Sequence, residues 1–471
     1  MRGWFHDHKI EVVIFFVALG IRLLFFVAAL FLSDLLSFSF PSIGSDSQDY
    51  LRLSQTLRQS GRFIDEFNTP VSLETPGYPL FLLFIQYIFQ SIWAIPLVQV
   101  LLTGFSAVLI YRIGNRISHF VGFGSSVLFC FDPLGIYYSN VILTESLFVF
   151  LAVSGVYLVI RSIEVAGWSV KYAIVGGVVI GSAMMVRPIG EVFIPAILFY
   201  FSIMGFITKI RFKKIIIIVC LFLFGVLIIV GPWFVRNRIL SGRWELSSAA
   251  AWQFAFVHSP AFYAYKHSVS EDTAREIFRN RLLEIAPTEY KEYISRGSSG
   301  HLFLVPYLWQ VALDQIKEYP MQYTLFYIKR TAPFFLSDGL RDTAVRIGLI
   351  RPHSLNISDH ILRGDWGELA WSFISTPLNS ALFLVGFGFW LFIFFFMCIG
   401  ILSAIRFLYQ ETSFLIIFFL LIIGAMALIA GGVVSSPRYR YSATPFIFLV
   451  AMHGLEIIKN IYFRLNPKGN E

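Results

Sequence analysis

Charge is scarce in this chain. Of its 471 residues only 14% are Asp, Glu, Lys or Arg, while 57% are hydrophobic and 17% aromatic, with 51 Phe. Soluble domains carry roughly 25% charged residues, so a soluble globular protein is excluded. Cysteine is nearly missing too. Cys130, Cys220 and Cys398 each sit inside an apolar run with no C-x-x-C pair, which excludes a disulfide framework and a paired-thiol zinc or redox site. The sequence has no G-x-x-x-x-G-K-[ST], no G-x-G-x-x-G after a strand, no H-E-x-x-H and no G-x-S-x-G, so ATPase, dinucleotide, zincin and serine hydrolase chemistries lack their motifs. No D-x-D occurs, which argues against a metal-bound sugar nucleotide, and His6 and His8 flank Asp7 as a tail rather than a metal site.

What is present is long apolar runs. A hydrocarbon core about 30 Å thick needs roughly 20 apolar residues per helix. Ten runs qualify: 12 to 33, 94 to 111, 119 to 133, 142 to 160, 171 to 187, 189 to 206, 215 to 234, 379 to 404, 413 to 431 and 441 to 457. The third and tenth are short, so the count is about 10 within a range of 9 to 13. The chain is therefore an all-α polytopic membrane protein. The first run is too long, and too polar at Arg22, for a cleaved signal peptide. Gly177 and Gly181 form a G-x-x-x-G for close helix packing.

The 37 basic and 29 acidic residues give a net charge of +8. The basic ones cluster at the ends of apolar runs, which reads as orientation in a bilayer and not as nucleic-acid binding. With both termini cytoplasmic, every cytoplasmic connection is basic: Arg2 and Lys9, Arg112 and Arg116, Arg161 and Lys171, Lys209 to Lys214, Arg406, and Lys459 to Lys468. The other side receives two long stretches, 34 to 93 and 235 to 378. Residues 47 to 60 repeat apolar positions as an amphipathic helix, 79 to 93 is an interfacial segment with an eleventh span as the alternative, and 270 to 285 and 306 to 328 read as surface helices. The organisation is an N-terminal transmembrane module over 1–245 containing the first outer loop, a large outer loop over 246–378, and C-terminal transmembrane helices over 379–471.

Ionisable groups at the membrane edge are costly and mark function by default. Asp46, Asp49, Asp132, Glu145, Arg187, Glu191, Arg236, Arg238, Arg438 and Arg440 fall at one depth on one side in this topology. Arginine forks grip phosphate oxygens, and a desolvated carboxylate takes a proton from a hydroxyl, so the set suits a reaction on a phosphate-bearing lipid. The plain alternative is that arginines at span ends snorkel and acids cap helices. Asp46 could be an N-cap, Asp49 a first-turn charge, and Glu145 a partner of Thr144 or of the helix dipole.

The order Asp46-Ser-Gln-Asp-Tyr50, Leu57, Gly61-Arg-Phe63, Thr75-Pro-Gly-Tyr-Pro-Leu-Phe81, Leu143-Thr-Glu-Ser-Leu-Phe148, Val186-Arg-Pro-Ile-Gly190, Pro232-Trp-Phe-Val-Arg-Asn237 and Pro437-Arg-Tyr-Arg440 with Pro445 resembles the dolichyl-phosphate-mannose protein mannosyltransferase superfamily, which includes bacterial aminoarabinose transferases. The resemblance leaves out about 245 to 375. It implies a GT-C fold, a polyprenyl-phosphate sugar donor, transfer on the extracytoplasmic face of the cell membrane, and a catalytic Asp in the first outer loop, by position Asp46. Tyr50 would then help hold the donor phosphate. Some members carry two adjacent acids in this loop, whereas Asp46 and Asp49 are separated here.

These readings combine into an inverting glycosyltransferase of the bacterial plasma membrane. Asp46 is the base, with Glu145 and Asp49 as further acids. Arg236, Arg438, Arg440, Tyr50 and Arg187 hold the donor phosphate, and no metal or other cofactor is required. The acceptor is a lipid, glycan or protein hydroxyl. A lipid-linked sugar flippase is the rival from another class, although the mid-span regions carry no charge apart from Arg22. A polysaccharide ligase or polymerase is the third reading. The sequence names neither the sugar nor the acceptor, and Asn356-Ile-Ser358 is a sequon of low specificity.

Overall fold

The computed structural model describes residues 8–32, 45–65, 67–164, 168–296, 300–337, 339–350, 360, 364–408 and 410–465. The Asn356 sequon and His6 lie outside them. Among the described residues there is no strand beyond a single bridge between Ile64 and Pro70. The all-helical bundle expected from the sequence is what the described residues form.

Among the described residues eight helices are long and apolar enough to cross a membrane: Lys9–Phe31, Ala94–Gly114, Glu145–Glu164, Pro188–Ile207, Phe212–Ser241, Pro377–Arg406, Glu411–Ile429 and Thr444–Leu465. The two remaining expected spans depart from that form for local reasons. The third is broken into His119–Phe131 and Pro133–Ser139, bent by 60°. Pro133 cannot continue the ladder, and Asp132 leaves the helical region and caps the second piece by accepting from the Gly135 N–H at 3.0 Å. The carbonyls freed at the break are met by the buried Arg22, which donates to Phe129 O and Cys130 O, each at 3.1 Å. The mid-span charge of Arg22 is thus spent on a broken helix. The fifth, Val170–Val186, is 17 residues long. It packs tightly against Phe212–Ser241, where a side chain at Gly177 or Gly181 would strike the backbone of Phe222 or Val226.

The first long connection supplies helix Ser45–Ser60 and the short apolar helix Gly77–Phe89. Between them the chain folds back on itself. Val71 N–H donates to Phe63 O, and the Asp65 carboxylate accepts from the N–H groups of Phe67 and Thr69. In the second long connection, Phe278, Leu282, Leu302, Val305 and Leu308 bury a small apolar core of their own. This part is sewn to the first stretch: Ser248 N–H donates to Ser72 O, Ser247 Oγ to Leu73 O, and Leu302 N–H to Ser72 Oγ. The expected surface helix 306 to 328 is two helices, Val305–Glu318 and Pro320–Leu336, because Pro320 interrupts the first.

Gly77 fixes where the first stretch meets the bundle. A Cβ there would overlap the Met185 carbonyl and approach Val186 N to 2.8 Å, at the end of the helix that leads into Arg187. Gly77→Ala is therefore expected to cost about 1–3 kcal/mol through backbone displacement. Thermal unfolding in detergent reads this, and an unchanged midpoint would show that the contact is dispensable.

Candidate functional site

Four charged side chains from four distant segments converge. Glu145 opens the helix Glu145–Glu164 and its side chain is fully buried. Its Oε1 accepts from Arg438 Nε at 2.5 Å and forms an ion pair with Arg187 Nη1 at 2.9 Å. The same Arg438 uses Nη1 to reach Asp46 Oδ2 at 2.6 Å. Exposure rises along the row: Glu145 0%, Arg187 11%, Arg438 23%, Asp46 46%. The cluster is thus anchored at depth by Glu145 and open at the Asp46 end. Glu145 and Asp46 together raise the pKa of Arg438 and hold it cationic. Two carboxylates balance two guanidiniums, so an incoming anion must displace a carboxylate to reach a cation.

Backbone devices place each member. Asp46 stands in the first turn of Ser45–Ser60, not ahead of it as a cap. Arg438 sits on the one-turn helix Pro437–Tyr441, reached through a turn at Gly432, whose φ of +62° favours glycine and where any Cβ would meet Tyr327 and His258. The approach to Glu145 is set by a buried relay: Tyr78 Oη donates to Gln99 Oε1 at 2.7 Å, and Gln99 Nε2 donates to Val141 O at 2.6 Å. Tyr50 packs edge-on against Tyr78 at 5.1 Å, and its hydroxyl feels the charges of Arg187, Glu145, Glu74 and Arg438, while burial raises its pKa.

Three expected site residues have other duties. Arg236 lies over the Trp233 ring at 4.3 Å and donates to Val71 O at 2.9 Å and Phe63 O at 3.0 Å, so it ties together the two arms of the folded-back segment. Arg440 is fully buried, stacks over Trp390 at 3.5 Å and donates to Ser337 O at 2.6 Å. Asp49 lies beyond the first turn of its helix, which holds Asp46, and pairs with Arg52 at 2.9 Å along it.

Glu74 is the residue the sequence reading missed, although it is the single charged side chain between Pro70 and Trp93. Burial pushes its carboxyl up to about 7, with Asp49 and Asp46 adding to the rise and its own backbone N–H and Arg52 opposing it. Its ordinary value is 4.5, so between these two values the unfolded chain has lost a proton that the folded chain keeps, and stability falls as pH rises through that window. Glu74→Gln should abolish this component. The wild-type melting point, measured relative to the variant, is expected to drop between pH 4.5 and about pH 7, and a pH-independent difference would contradict the assignment. Among the described residues, no group of three or more His, Cys, Asp or Glu is disposed to hold a metal ion.

Against this geometry the likeness to known proteins can be placed. Residues 73–236 match the dolichyl-phosphate-mannose-protein mannosyltransferase family. The mannosyltransferase-like stretch contains Glu74, Glu145, Arg187 and Arg236, whereas Asp46 precedes it and Arg438 follows it. The fold is similar to that of the archaeal oligosaccharyltransferase AglB from Archaeoglobus fulgidus, solved with an inhibitory peptide and a dolichol-phosphate. That likeness has a TM-score of 0.51 at 13% identity, over 99% of this chain and 53% of that one. A second structure of the Archaeoglobus fulgidus oligosaccharyltransferase, with Zn and sulfate, gives 0.53 at 13% identity over 97% and 50%. A third, tethered to an acceptor peptide containing the NVT sequon, gives 0.51 at 12% over 99% and 52%. The chain thus spans about half the length of these solved structures, and at such identity the likeness is one of fold. No curated protein matches the chain.

Proposed function

We propose that this protein is an integral-membrane glycosyltransferase that moves a sugar from a polyprenyl-phosphate donor to an acceptor hydroxyl on the extracytoplasmic face, with inversion at the anomeric carbon. The observation that carries the reading is the bridge made by Arg438 between Asp46 and Glu145. The dolichol-phosphate and acceptor peptide in the similar oligosaccharyltransferases support a lipid phosphate and a nucleophile meeting in this fold.

The donor phosphate takes the Nη1 edge of Arg438 from Asp46, and Arg438 stays braced by Glu145. Asp46, at the open end, is released as a free carboxylate. It accepts the proton of the acceptor hydroxyl as that oxygen bonds to the anomeric carbon and the bond from that carbon to the phosphate oxygen breaks. The electron pair leaves with polyprenyl phosphate, whose added charge Arg438 and Arg187 meet, so the step needs no divalent cation for charge balance. The acceptor is a lipid, glycan or protein, and the basic connections support cytoplasmic termini.

Arg438→Ala is expected to weaken donor binding and slow transfer, with only partial rescue by Lys, which lacks the planar fork needed to serve two acids. Arg440→Lys should lower thermal stability and leave the donor KM unchanged, because that guanidinium is engaged with Ser337 and Trp390. The reaction itself is tested by chromatography of purified protein incubated with a panel of polyprenyl-phosphate sugars and acceptor lipids, scoring free polyprenyl phosphate. Release from at least one donor supports the reading, and none across the panel by folded protein counts against it.

A further inference from the structure

Helix Ser45–Ser60 carries Asp46 at one end and Arg58 at the other, about 18 Å away at 1.5 Å per residue. At the Arg58 end lies a cavity of about 720 Å³ lined by Arg58, Gln86, Tyr87, Gln90 and Ser91 among others. Arg58 is the single charged lining residue, and four of the others, Gln86, Tyr87, Gln90 and Ser91, offer an amide or a hydroxyl. The size falls within the usual range for small-molecule sites, about 300–1,000 Å³.

The setting is that of the bilayer boundary. Ser91 stands three residues before the membrane-crossing helix Ala94–Gly114, and Trp93 packs edge-on against Phe26 of the first membrane-crossing helix at 6.4 Å. The floor of the cavity is the last turn of Gly77–Phe89, a helix with two apolar faces. Tyr78, Leu82 and Ile85 are buried against the bundle, whereas Leu80, Phe84, Tyr87 and Ile88 point outward with exposures of 47%, 61%, 77% and 51%. The outward residues recur at helical spacing, and Leu97 and Leu101 of the neighbouring span are exposed too. A polar hollow with one cation therefore stands directly beside an apolar stripe.

We propose that this cavity holds the phosphodiester headgroup of a membrane phospholipid. The phosphate pairs with Arg58, the headgroup hydroxyls bond to Gln86, Gln90 and Ser91, and the acyl chains lie along Leu80, Phe84 and Ile88. The site is separate from the Asp46 end of the helix and does not depend on the transferase reading.

The test uses the whole protein, delipidated in detergent, with its thermal midpoint followed during titration with dioleoyl phosphatidylglycerol, dioleoylglycerol or inorganic phosphate. Phosphatidylglycerol is expected to raise the midpoint saturably. Arg58→Gln should bind it about tenfold more weakly, the loss of one charge-assisted hydrogen bond, and Arg58→Lys should fall between the two. Arg58 is exposed, so both variants are expected to fold like the wild type. Equal affinity of Arg58→Gln and wild type would overturn the proposal. So would an equal effect of dioleoylglycerol, which lacks the phosphate, or of inorganic phosphate alone, which would make this a free-anion site.

Discussion

Glu145→Gln is expected to destabilise the protein by about 3–5 kcal/mol, the usual penalty when one partner of a buried ion pair is removed and its counter-charge stays behind. Here two counter-charges stay behind, since Arg187 and Arg438 both converge on the same buried Oε1. The alternative is that Glu145 is only an acid in the first turn of Glu145–Glu164, serving the helix dipole. That role predicts a loss of no more than about 1 kcal/mol, because Gln still accepts hydrogen bonds at a helix N-terminus. The two differ enough for thermal denaturation followed by size-exclusion monodispersity to separate them. A variant that melts within a degree or two of wild type would remove Glu145 from the centre of the cluster. Transfer should also be lost in whatever fraction remains folded, because Arg438 then has only Asp46 to orient it.

The largest catalytic effect is expected at Asp46. Asp46→Asn keeps the size of the side chain and most of its local hydrogen bonding, so folding and donor binding should survive while turnover falls by roughly 100-fold or more, the usual contribution of a general base. Two observations sharpen this. Asp46 is the only member of the cluster with nearly half of its side chain exposed, so a hydroxyl can reach it. Its partner Arg438 has a second acid to hold it, so the guanidinium need not move far when Asp46 is neutralised. Asp49→Asn is the internal control and should be mild, since that carboxylate is engaged with Arg52 on the same helix. Wild-type turnover in Asp46→Asn with a dead Glu74→Gln would transfer the base to Glu74, whose carboxyl lies near neutrality.

How much of this was legible in the sequence depended on what each residue type signals. Apolar runs with basic ends gave the membrane-crossing helices, because few other environments select twenty uncharged residues in a row. The break at Asp132-Pro133 was marked only by its residues, since a run that includes it is as apolar as an unbroken span. Asp46, Glu145, Arg187 and Arg438 stood out because charge at that depth is rare. Arg440 could not be told from Arg438. Two residues apart on a helix are about 200° apart around its axis, so one faces Asp46 and Glu145 while the other faces Trp390 and Ser337, and the sequence does not reveal which. Arg236 is ambiguous for a similar reason: an arginine that collects backbone carbonyls looks the same in sequence as one that collects phosphate oxygens. Gln99 gave no signal at all, being one amide in an apolar helix, yet it positions the turn before Glu145.

The transferase reading is met most directly by phosphorus NMR of the purified protein with a polyprenyl-phosphate sugar that it accepts and an acceptor lipid. Conversion of the donor phosphodiester resonance to that of polyprenyl monophosphate is expected with wild-type protein, at least about 100-fold more slowly with Asp46→Asn, although both bind the donor equally. Conversion at the same rate in both would contradict the assignment of Asp46, and an unchanged donor resonance with folded, donor-binding wild-type protein would contradict glycosyl transfer itself.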